Sequence, residues 1–340
     1  MSTLRDVAKK ADVSIATVSR AINNPDKVSS DTLARIRKTM RSLNYNPSRV
    51  AQRLRGNKGK SKLLGLIIPD IQNPFYSDIV RGIEDVAYGK KYAVILCNSD
   101  ENPEKERFYL NVLHAESVDG VILPPIHLYG KVVKQITELG IPLICIDRKF
   151  PKLSVDTVVV NNKKGAFAAV SHLIDEGHKR ISIITSNTKF SSFQERKEGY
   201  KKALEDNGIA YDNSLVKEVD PRSSDDAKEA TFELLESTNP PSAIFMTNNL
   251  MGLGTLNAIK QIGLKIPKDV SLVMFDDMPW TTITSPSLTA VKQPSYEMGR
   301  RACELFFQRI EDPQRECVEV TMETKLIVRD STGKPLKQNL

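Results

Sequence analysis

The chain has 340 residues, 40% hydrophobic and 27% charged, and no run approaches the roughly 18 apolar residues of a membrane span, which leaves a globular protein of two or three domains. Its first residues, MSTLRDVAKKADV, lack the apolar centre of a secretory signal, so the expected location is cytoplasmic, away from any membrane. The net charge of +7 divides into fifteen Lys and Arg against four Asp up to Lys62, a net +11, and 34 Lys and Arg against 38 acids in the remainder, a net −4; a compact basic unit on a mildly acidic body is the charge pattern of a polyanion-binding module, nucleic acid first among its targets.

Thr3 and Asp6 stand at capping-box spacing, and Leu4, Val7, Ala8 and Ala11 follow at helical intervals, which predicts a first helix over 4–11. Asp12 and Val13 make a short turn. Ser14 can cap a second helix in which Val18 and Ile22 point inward while Ile15, Ala16, Ser19 and Arg20 fall on other faces. A third helix over 30–43 aligns Leu33, Ile36, Met40 and Leu43 on one stripe. Three small helices with a tight turn between the first pair form a helix-turn-helix unit.

The second helix, within SIATVSRAIN, has little left over for packing. Ser14 and Thr17 sit where a helix N-terminus offers free N–H groups, a suitable place to hold a phosphate. Arg20 has the donor fork for guanine O6 and N7, and Ile15 and Ala16 offer apolar contact to a thymine methyl. The alternative is that Ile15 belongs to the core and Arg20 is an ordinary surface charge.

The stretch LRDVAKKADVSIATVSRAINNPDKVSSDTLARIRKTMRSLNYNPSRVAQRLRG resembles the DNA-binding head of the lactose and galactose repressor family, through its A-x-V-S-x-x-T-V-S-R centre and its L-N-Y-x-P end. The resemblance places Ile15, Ala16 and Arg20 at base-reading positions. It adds Thr3, Ser14, Thr17, Ser19, Asn23, Tyr45 and Asn46 to the DNA-contacting set, within a head over 1–46. In 47–61, Pro47 can start a short helix with Val50, Ala51 and Leu54 on one face, but Gly56, Gly59 and the lysines alone would read as a linker. This segment resembles the family's hinge, which folds when two protomers meet on DNA and inserts a leucine into the minor groove. Leu54 holds that position, with Ala51 beside it; the alternative for Leu54 is packing on a neighbour within a fixed linker.

From Leu64 the pattern changes. LLGLIIP, YAVILC, VDGVIL, IPLICID, TVVV, ISIIT, SAIFMT and VSLVMF are short apolar runs typical of strands buried on both faces, and amphipathic stretches such as YSDIVRGIEDVAYGKK and KGAFAAVSHLIDEG separate most of them. Alternation of strand and helix predicts α/β architecture, a doubly wound parallel sheet in each of two lobes. The expected boundaries are 62–161 with 292–322 for one lobe and 162–291 with 323–330 for the other, followed by a tail over 331–340. Cys97, Cys145, Cys303 and Cys317 are widely spaced, with no C-x-x-C, and read as reduced, mostly buried thiols.

Ligands of open parallel sheets lie at the carboxyl ends of the strands. There the chain places PDIQNPFY, DRK, TNN and DDMPW, and FQERKEGY begins a helix nearby. These loops resemble the family's effector cleft, itself similar to that of periplasmic sugar-binding proteins. The resemblance carries over to Asn73, Phe75, Asp147, Arg148, Arg196, Asn248 and Asp276. Carboxylates and an arginine fork suit a hydroxyl-rich ligand; for any one of them the alternative is a helix cap or a loop salt bridge.

Three places depart from the family's pattern: Asn161 with Asn162, Asn248 with Asn249, and Pro221, near which some members place a stacking aromatic. Lys189, Arg148 and Arg196 together would suit an anion, so the expected effector is a sugar, a sugar acid or a sugar phosphate.

Catalysis finds little support. GLGTLN (252–257) lacks the third glycine of a dinucleotide loop and lies inside a helical run, and neither a phosphate-binding G-x-x-x-x-G-K-[ST] nor a G-x-S-x-G elbow occurs. His114, His127, His172 and His178 lack metal-ligand spacing; His178, after Gly177, reads as part of a helix cap. No cofactor or metal is expected.

The reading is a sugar-responsive transcriptional regulator, most simply a repressor, that binds a pseudo-palindromic operator as a homodimer, since one recognition helix covers only a few base pairs. The end, STGKPLKQNL, has no leucine heptads and favours a dimer over a tetramer. The resemblance implies that effector binding alters how the two lobes close and thereby the spacing of the hinges. The alternatives are control by a protein co-regulator, a free-standing sugar-binding protein and an enzyme.

Overall fold

The computed structural model describes residues 2–45, 60–126, 140–150 and 153–335. The chain divides into two compact units, Met1–Ser61 and Lys62–Leu340.

In the first unit α1 (Leu4–Lys10), α2 (Ile15–Asn23) and α3 (Ser30–Ser42) enclose a small core. Val7, Ala8, Ala11, Val18, Ala21 and Ile36 are buried, with Leu33, Met40, Leu43 and Tyr45 packed against them. The capping box forms: Asp6 N donates to Thr3 Oγ1 at 3.3 Å, and Thr3 N donates to Asp6 Oδ2 at 2.7 Å. Asp12, in the left-handed region at φ 50°, turns the chain into α2. A 3-10 turn at Pro25–Lys27, which the apolar pattern does not signal, precedes α3.

The second unit repeats one design twice. In the first lobe β1 (Leu63–Ile68), β2 (Ala93–Asn98), β3 (Val121–Leu123), β4 (Leu143–Ile146) and β5 (Asp156–Val160) are joined by β11 (Glu319–Met322) in the order β2-β1-β3-β4-β5-β11, all parallel. In the second, β6 (Ile181–Ser186), β7 (Val216–Val219), β8 (Ala243–Met246), β9 (Ser271–Phe275) and β10 (Thr289–Lys292) take the same order, β7-β6-β8-β9-β10-β12, closed by an antiparallel β12 (Lys325–Ile327). The chain passes between lobes after β5, after β10 and between β11 and β12.

Both faces of each sheet are covered, which is why the strands read as continuous apolar runs. In β1, Leu64, Leu66 and Ile68 face α4 (Pro74–Gly89) and α10 (Ser295–Glu311), while Leu63 and Ile67 face α5 (Pro103–Ala115). Each such fully buried aliphatic side chain contributes about 1.5–3 kcal/mol. Helices α4 and α10 meet backbone to backbone: a Cβ at Gly82 would lie 2.1 Å from Tyr296 O, so only glycine allows the approach. In the second lobe α6 (Asn162–Asp175) and α7 (Ser191–Asp206) cover one face, and α8 (Ser224–Leu235) and α9 (Asn249–Ile262) the other.

Two expectations need correction. Strand β2 is not buried on both faces: it is the sheet's edge, and Ala93 and Leu96 are exposed. Residues 331–335 are no free tail, because Ser331 is fully buried, accepts from Thr289 N at 2.8 Å and donates to Leu272 O at 2.7 Å. His178 takes part in the cap of α6 as expected, its N–H donating to Leu173 O at 3.1 Å beside Gly177 N to Ile174 O at 2.9 Å, while its ring bonds Ser242 Oγ at 2.8 Å and Gly333 O at 2.9 Å and so pins that same segment to the second lobe. Cys97, Cys145 and Cys303 are buried, Cys317 is exposed, and all four are free thiols.

Candidate functional site

The first unit presents one end of α2. Ser14 Oγ accepts from Thr17 N at 3.0 Å and lies 2.8 Å from Thr17 Oγ1, so the two hydroxyls form a polar pair at the helix N-terminus. Ile15 is 42% exposed although Val18, one turn on, is fully buried. An isoleucine left in water beside a filled core is not a core residue, which removes the alternative for Ile15. Ala16 and Arg20 are also exposed, and Arg20 makes no ion pair with a described residue. Thr3 is exposed but engaged in its cap; Ser19 is half-buried; Tyr45 lays its ring on the head's core, leaving only part of it accessible. The side chain of Asn23, and Asn46, Ala51 and Leu54 entirely, lie outside the described residues.

The second unit contains a cavity of about 430 Å³ between its lobes, at the carboxyl ends of both sheets. The strand order places a switch point between β1 and β3 and another between β6 and β8, and loops diverging there leave the space a ligand fills. All seven residues expected there, Asn73, Phe75, Asp147, Arg148, Arg196, Asn248 and Asp276, line it. Lys189 does not; it is exposed and outside the lining.

Two aspartates end equivalent strands. Asp147 follows β4 and Asp276 follows β9, each 5% exposed and each in the left-handed region, at φ 66° and 81°. Asp147 Oδ2 accepts from Tyr76 Oη at 3.0 Å and lies 3.3 Å from Arg148 Nε. Arg148 also donates to Glu101 Oε1 at 2.5 Å and stacks 3.8 Å from the centre of the Phe190 ring. Burial pushes the Tyr76 phenol well above its ordinary value, so Tyr76 remains a donor to Asp147.

Asp276 Oδ1 accepts from Gln293 Nε2 at 2.5 Å and its Oδ2 accepts from Asn249 N at 3.3 Å. Burial raises its carboxyl above the ordinary value, against the opposing pull of Arg196. Arg196 stacks 3.7 Å over Phe275 and donates Nε to Asn162 Oδ1 at 2.8 Å and Nη1 to Thr247 O at 2.6 Å. Burial also pulls Arg196 below its ordinary value. Three buried polar atoms of lining residues lack a hydrogen-bond partner among the described residues: the donors Arg148 Nε, which keeps its ionic contact to Asp147, and Nη1, and the acceptor Gln293 Oε1. Leaving such an atom unpaired costs about 1–3 kcal/mol.

The asparagines divide their work. Asn248 caps α9 by accepting from Met251 N at 2.8 Å and donates to Pro221 O at 2.9 Å, so its amide serves the second lobe as much as the cavity. Asn73 caps α4 by accepting from Phe75 N at 3.1 Å. Asn162 lies behind Arg196, outside the lining. Glu101, Arg222 and Gln293 also line the cavity, unannounced by the loop reading, and Tyr76, Phe193 and Asn249 line it from within the stretches PDIQNPFY, FQERKEGY and TNN, where that reading does not single them out as ligand contacts. The rule of strand ends reaches Gln293, one residue past β10, and Tyr76 adjoins Phe75; Glu101 and Arg222 arrive only through tertiary packing.

Two models match the chain: the bacterial regulatory proteins of the lacI family over residues 3–48, and the periplasmic binding protein-like domain over residues 170–332. The ribose operon repressor of Halalkalibacterium halodurans is 37% identical over 332 residues, covering 98% of this chain and 97% of the relative. A lacI-family transcriptional regulator from Enterococcus faecium, solved with bound ribose, is 30% identical with a TM-score of 0.74, covering 81% of this chain and all of that one. The lac repressor dimer bound to operator and the anti-inducer ONPF has a TM-score of 0.85 at 26% identity, covering 98% of this chain and 99% of that one. Among the described residues no helix is long and apolar enough to cross a membrane.

Proposed function

This chain belongs to the lacI family of bacterial regulatory proteins, and from that premise we propose that it is a repressor that reads a pseudo-palindromic operator as a homodimer and takes a neutral monosaccharide, D-ribose foremost, as its effector. In the head, Ser14 and Thr17 hold a phosphate at the start of α2, and Ile15, Ala16 and Arg20 face the bases in the major groove. Thr3, Ser19, Asn23, Tyr45 and Asn46 complete the DNA surface, and Ala51 and Leu54 serve the minor groove.

The observation that carries the effector reading is the cavity's unequal charge. Three arginines, Arg148, Arg196 and Arg222, face six carboxylates, Asp70, Asp100, Glu101, Asp147, Asp220 and Asp276. A sugar acid or phosphate would meet net repulsion, and the absence of Lys189 from the lining removes the cation that favoured one. Hydroxyls suit this lining: they donate to carboxylates such as Asp147 and Asp276 and accept from an arginine N–H. The pentose named for two of the similar proteins fits this chemistry. No group in the cavity is asked to do more than bind, and the coupling to DNA is the differential affinity of the effector for two lobe arrangements.

Operator binding by the full chain, titrated with D-ribose and in parallel with D-ribose 5-phosphate, tests the proposal. The neutral sugar shifts the operator isotherm and the phosphate does not. A response to the phosphate alone rejects the charge argument, and a response to neither rejects the pentose.

A further inference from the structure

Several polar bonds cross directly between the lobes: Lys149 N donates to Ser191 Oγ at 3.2 Å outside the cavity lining, and others join residues of the lining itself across the cleft. Asn249 Nδ2, at the start of α9 in the second lobe, donates to Asn73 Oδ1, at the start of α4 in the first, at 2.8 Å; the reverse contact, Asn73 Nδ2 to Asn249 Oδ1, is 3.4 Å. Arg222 Nη1, before α8 in the second lobe, donates to the Asp100 carbonyl, after β2 in the first, at 2.9 Å. We infer that Asn249 and Arg222 are positioning residues that set effector affinity by latching the lobes together across the cavity, in addition to whatever they present to the ligand.

The chemistry of position 249 suits a latch. Asn249 is 2% exposed and its backbone N–H is held by Asp276. A carboxylate there would stand beside a second buried carboxylate, and it could not donate to Asn73 Oδ1. A neutral amide donates across the cleft without adding charge. Arg222 acts at the rim. Its Nε and Nη2 are fixed by Asp220 at 3.0 and 2.7 Å, which aims the remaining arm at Asp100. That carbonyl belongs to a turn in which Asp100 and Glu101 both have positive φ, 53° and 52°. Glu101 is the residue that holds Arg148 in the cavity. The Arg222 bond thus grips the same strained turn that positions a ligand-facing arginine.

The chain carries its own reporter. Trp280, its single tryptophan, is half-buried and packs against the apolar clusters of both lobes. The test compares wild type, Asn249→Ala and Arg222→Ala by Trp280 emission and small-angle scattering without added sugar, then by calorimetric titration with D-ribose. Both variants should shift the sugar-free emission to longer wavelength and enlarge the radius of gyration. Each should weaken D-ribose about 2- to 10-fold, as expected for one modest hydrogen bond. Arg222 is half in solvent, so its variant folds even if the buried amide proves intolerant of change. Unchanged sugar-free emission and scattering in Arg222→Ala overturn the latch, whatever happens to affinity. Only the titration depends on the sugar-effector reading: if wild type ignores D-ribose that reading fails, while the sugar-free measurements still decide the latch.

Discussion

Asp276→Asn separates a binding role from a structural one. The carboxylate is buried, accepts from Gln293 Nε2 and Asn249 N, and sits at φ 81°, a conformation asparagine tolerates as well as aspartate. Burial raises its carboxyl above the ordinary 3.8. A raised carboxyl contributes stability that is complete below the unfolded value and lost as pH rises through the folded one, so at pH 7 the charge is a net cost to the fold. Replacing it by an isosteric amide removes that cost. The new NH₂ would face the Gln293 NH₂, but Gln293 can turn its amide over and offer the Oε1 that is now unpaired. Thermal unfolding at pH 7 should therefore give a midpoint unchanged or raised. The effector loses a charged acceptor worth about 1.5–3 kcal/mol, so its Kd rises about 10- to 150-fold. Calorimetric titration with D-ribose reads the second effect. A midpoint lowered by more than about 5 °C, beyond what 1 kcal/mol produces in a chain of this size, with D-ribose affinity intact would refute the reasoning.

Four further outcomes are expected. Arg20→Ala should cost about 1–3 kcal/mol per half-site and flatten preference at one base pair, read by titrating single-base operator variants; an unaltered preference removes Arg20 from the groove. Ser14→Ala deletes the cap of α2 and should destabilise that helix by about 1 kcal/mol, seen as faster hydrogen exchange of its amides while α7 stays unchanged. Glu106, buried on α5 with one bond from Ile126 N, is pushed by burial from 4.5 up to about 7. It therefore contributes stability fully present below pH 4.5 that is lost as pH rises through about 7, on the order of 3 kcal/mol; Glu106→Gln should flatten this fall between urea midpoints at pH 5 and pH 8, and equal slopes would show the carboxyl is not the cause. His178→Ala should loosen residues 331–335, accelerating exchange at Gly333 N and Leu272 N; protection equal to wild type would mean that the bonds of Ser331, Thr332 and Gly333 to Thr289, Leu272, His172 and Ser271 suffice to hold the segment.

Much of this architecture is legible because burial on both faces leaves so plain a mark. Eight apolar runs gave β1 to β6, β8 and β9, and helix signals placed α1 to α4 and α6 to within a residue or two. Strands β7, β11 and β12 escaped because they lie at sheet edges, where half-exposed residues such as Lys217, Glu218 and Glu319 break the apolar pattern. The anchoring of residues 331–335 is illegible for a related reason. Ser331 and Gly333 are small residues whose partners, Leu272 and Thr289 for the first and His178 and Ser271 for the second, stand 40 or more positions away, beyond any local signal. In the cleft the rule of strand ends found both aspartates, whereas Glu101 and Arg222 reach the cavity from turns whose direction depends on the opposite lobe.

The preference proposed for a neutral ligand rests on the paired aspartates as much as on the arginines. Asp147 and Asp276 end the fourth strands of two sheets with identical order, and each adopts a left-handed backbone that a β-strand residue would avoid. Such a conformation costs about 1 kcal/mol or more, and it turns the carboxylate off the strand axis toward the cleft in both lobes. The surroundings then differ. Asp147 sits against Tyr76 and Arg148, whose charge is itself matched by Glu101, while Asp276 has the neutral amides of Gln293 and Asn249, with Arg196 drawn back onto Phe275 and two other acceptors. Arg148 is thus matched by two carboxylates in contact, and the charge of Arg196 is offset only through space by Asp276 and Asp147. A ligand between two fixed carboxylates must offer donors at opposite ends, and a monosaccharide does so with hydroxyls around its ring. An anion would bring acceptors to both ends, where the lobes already supply them.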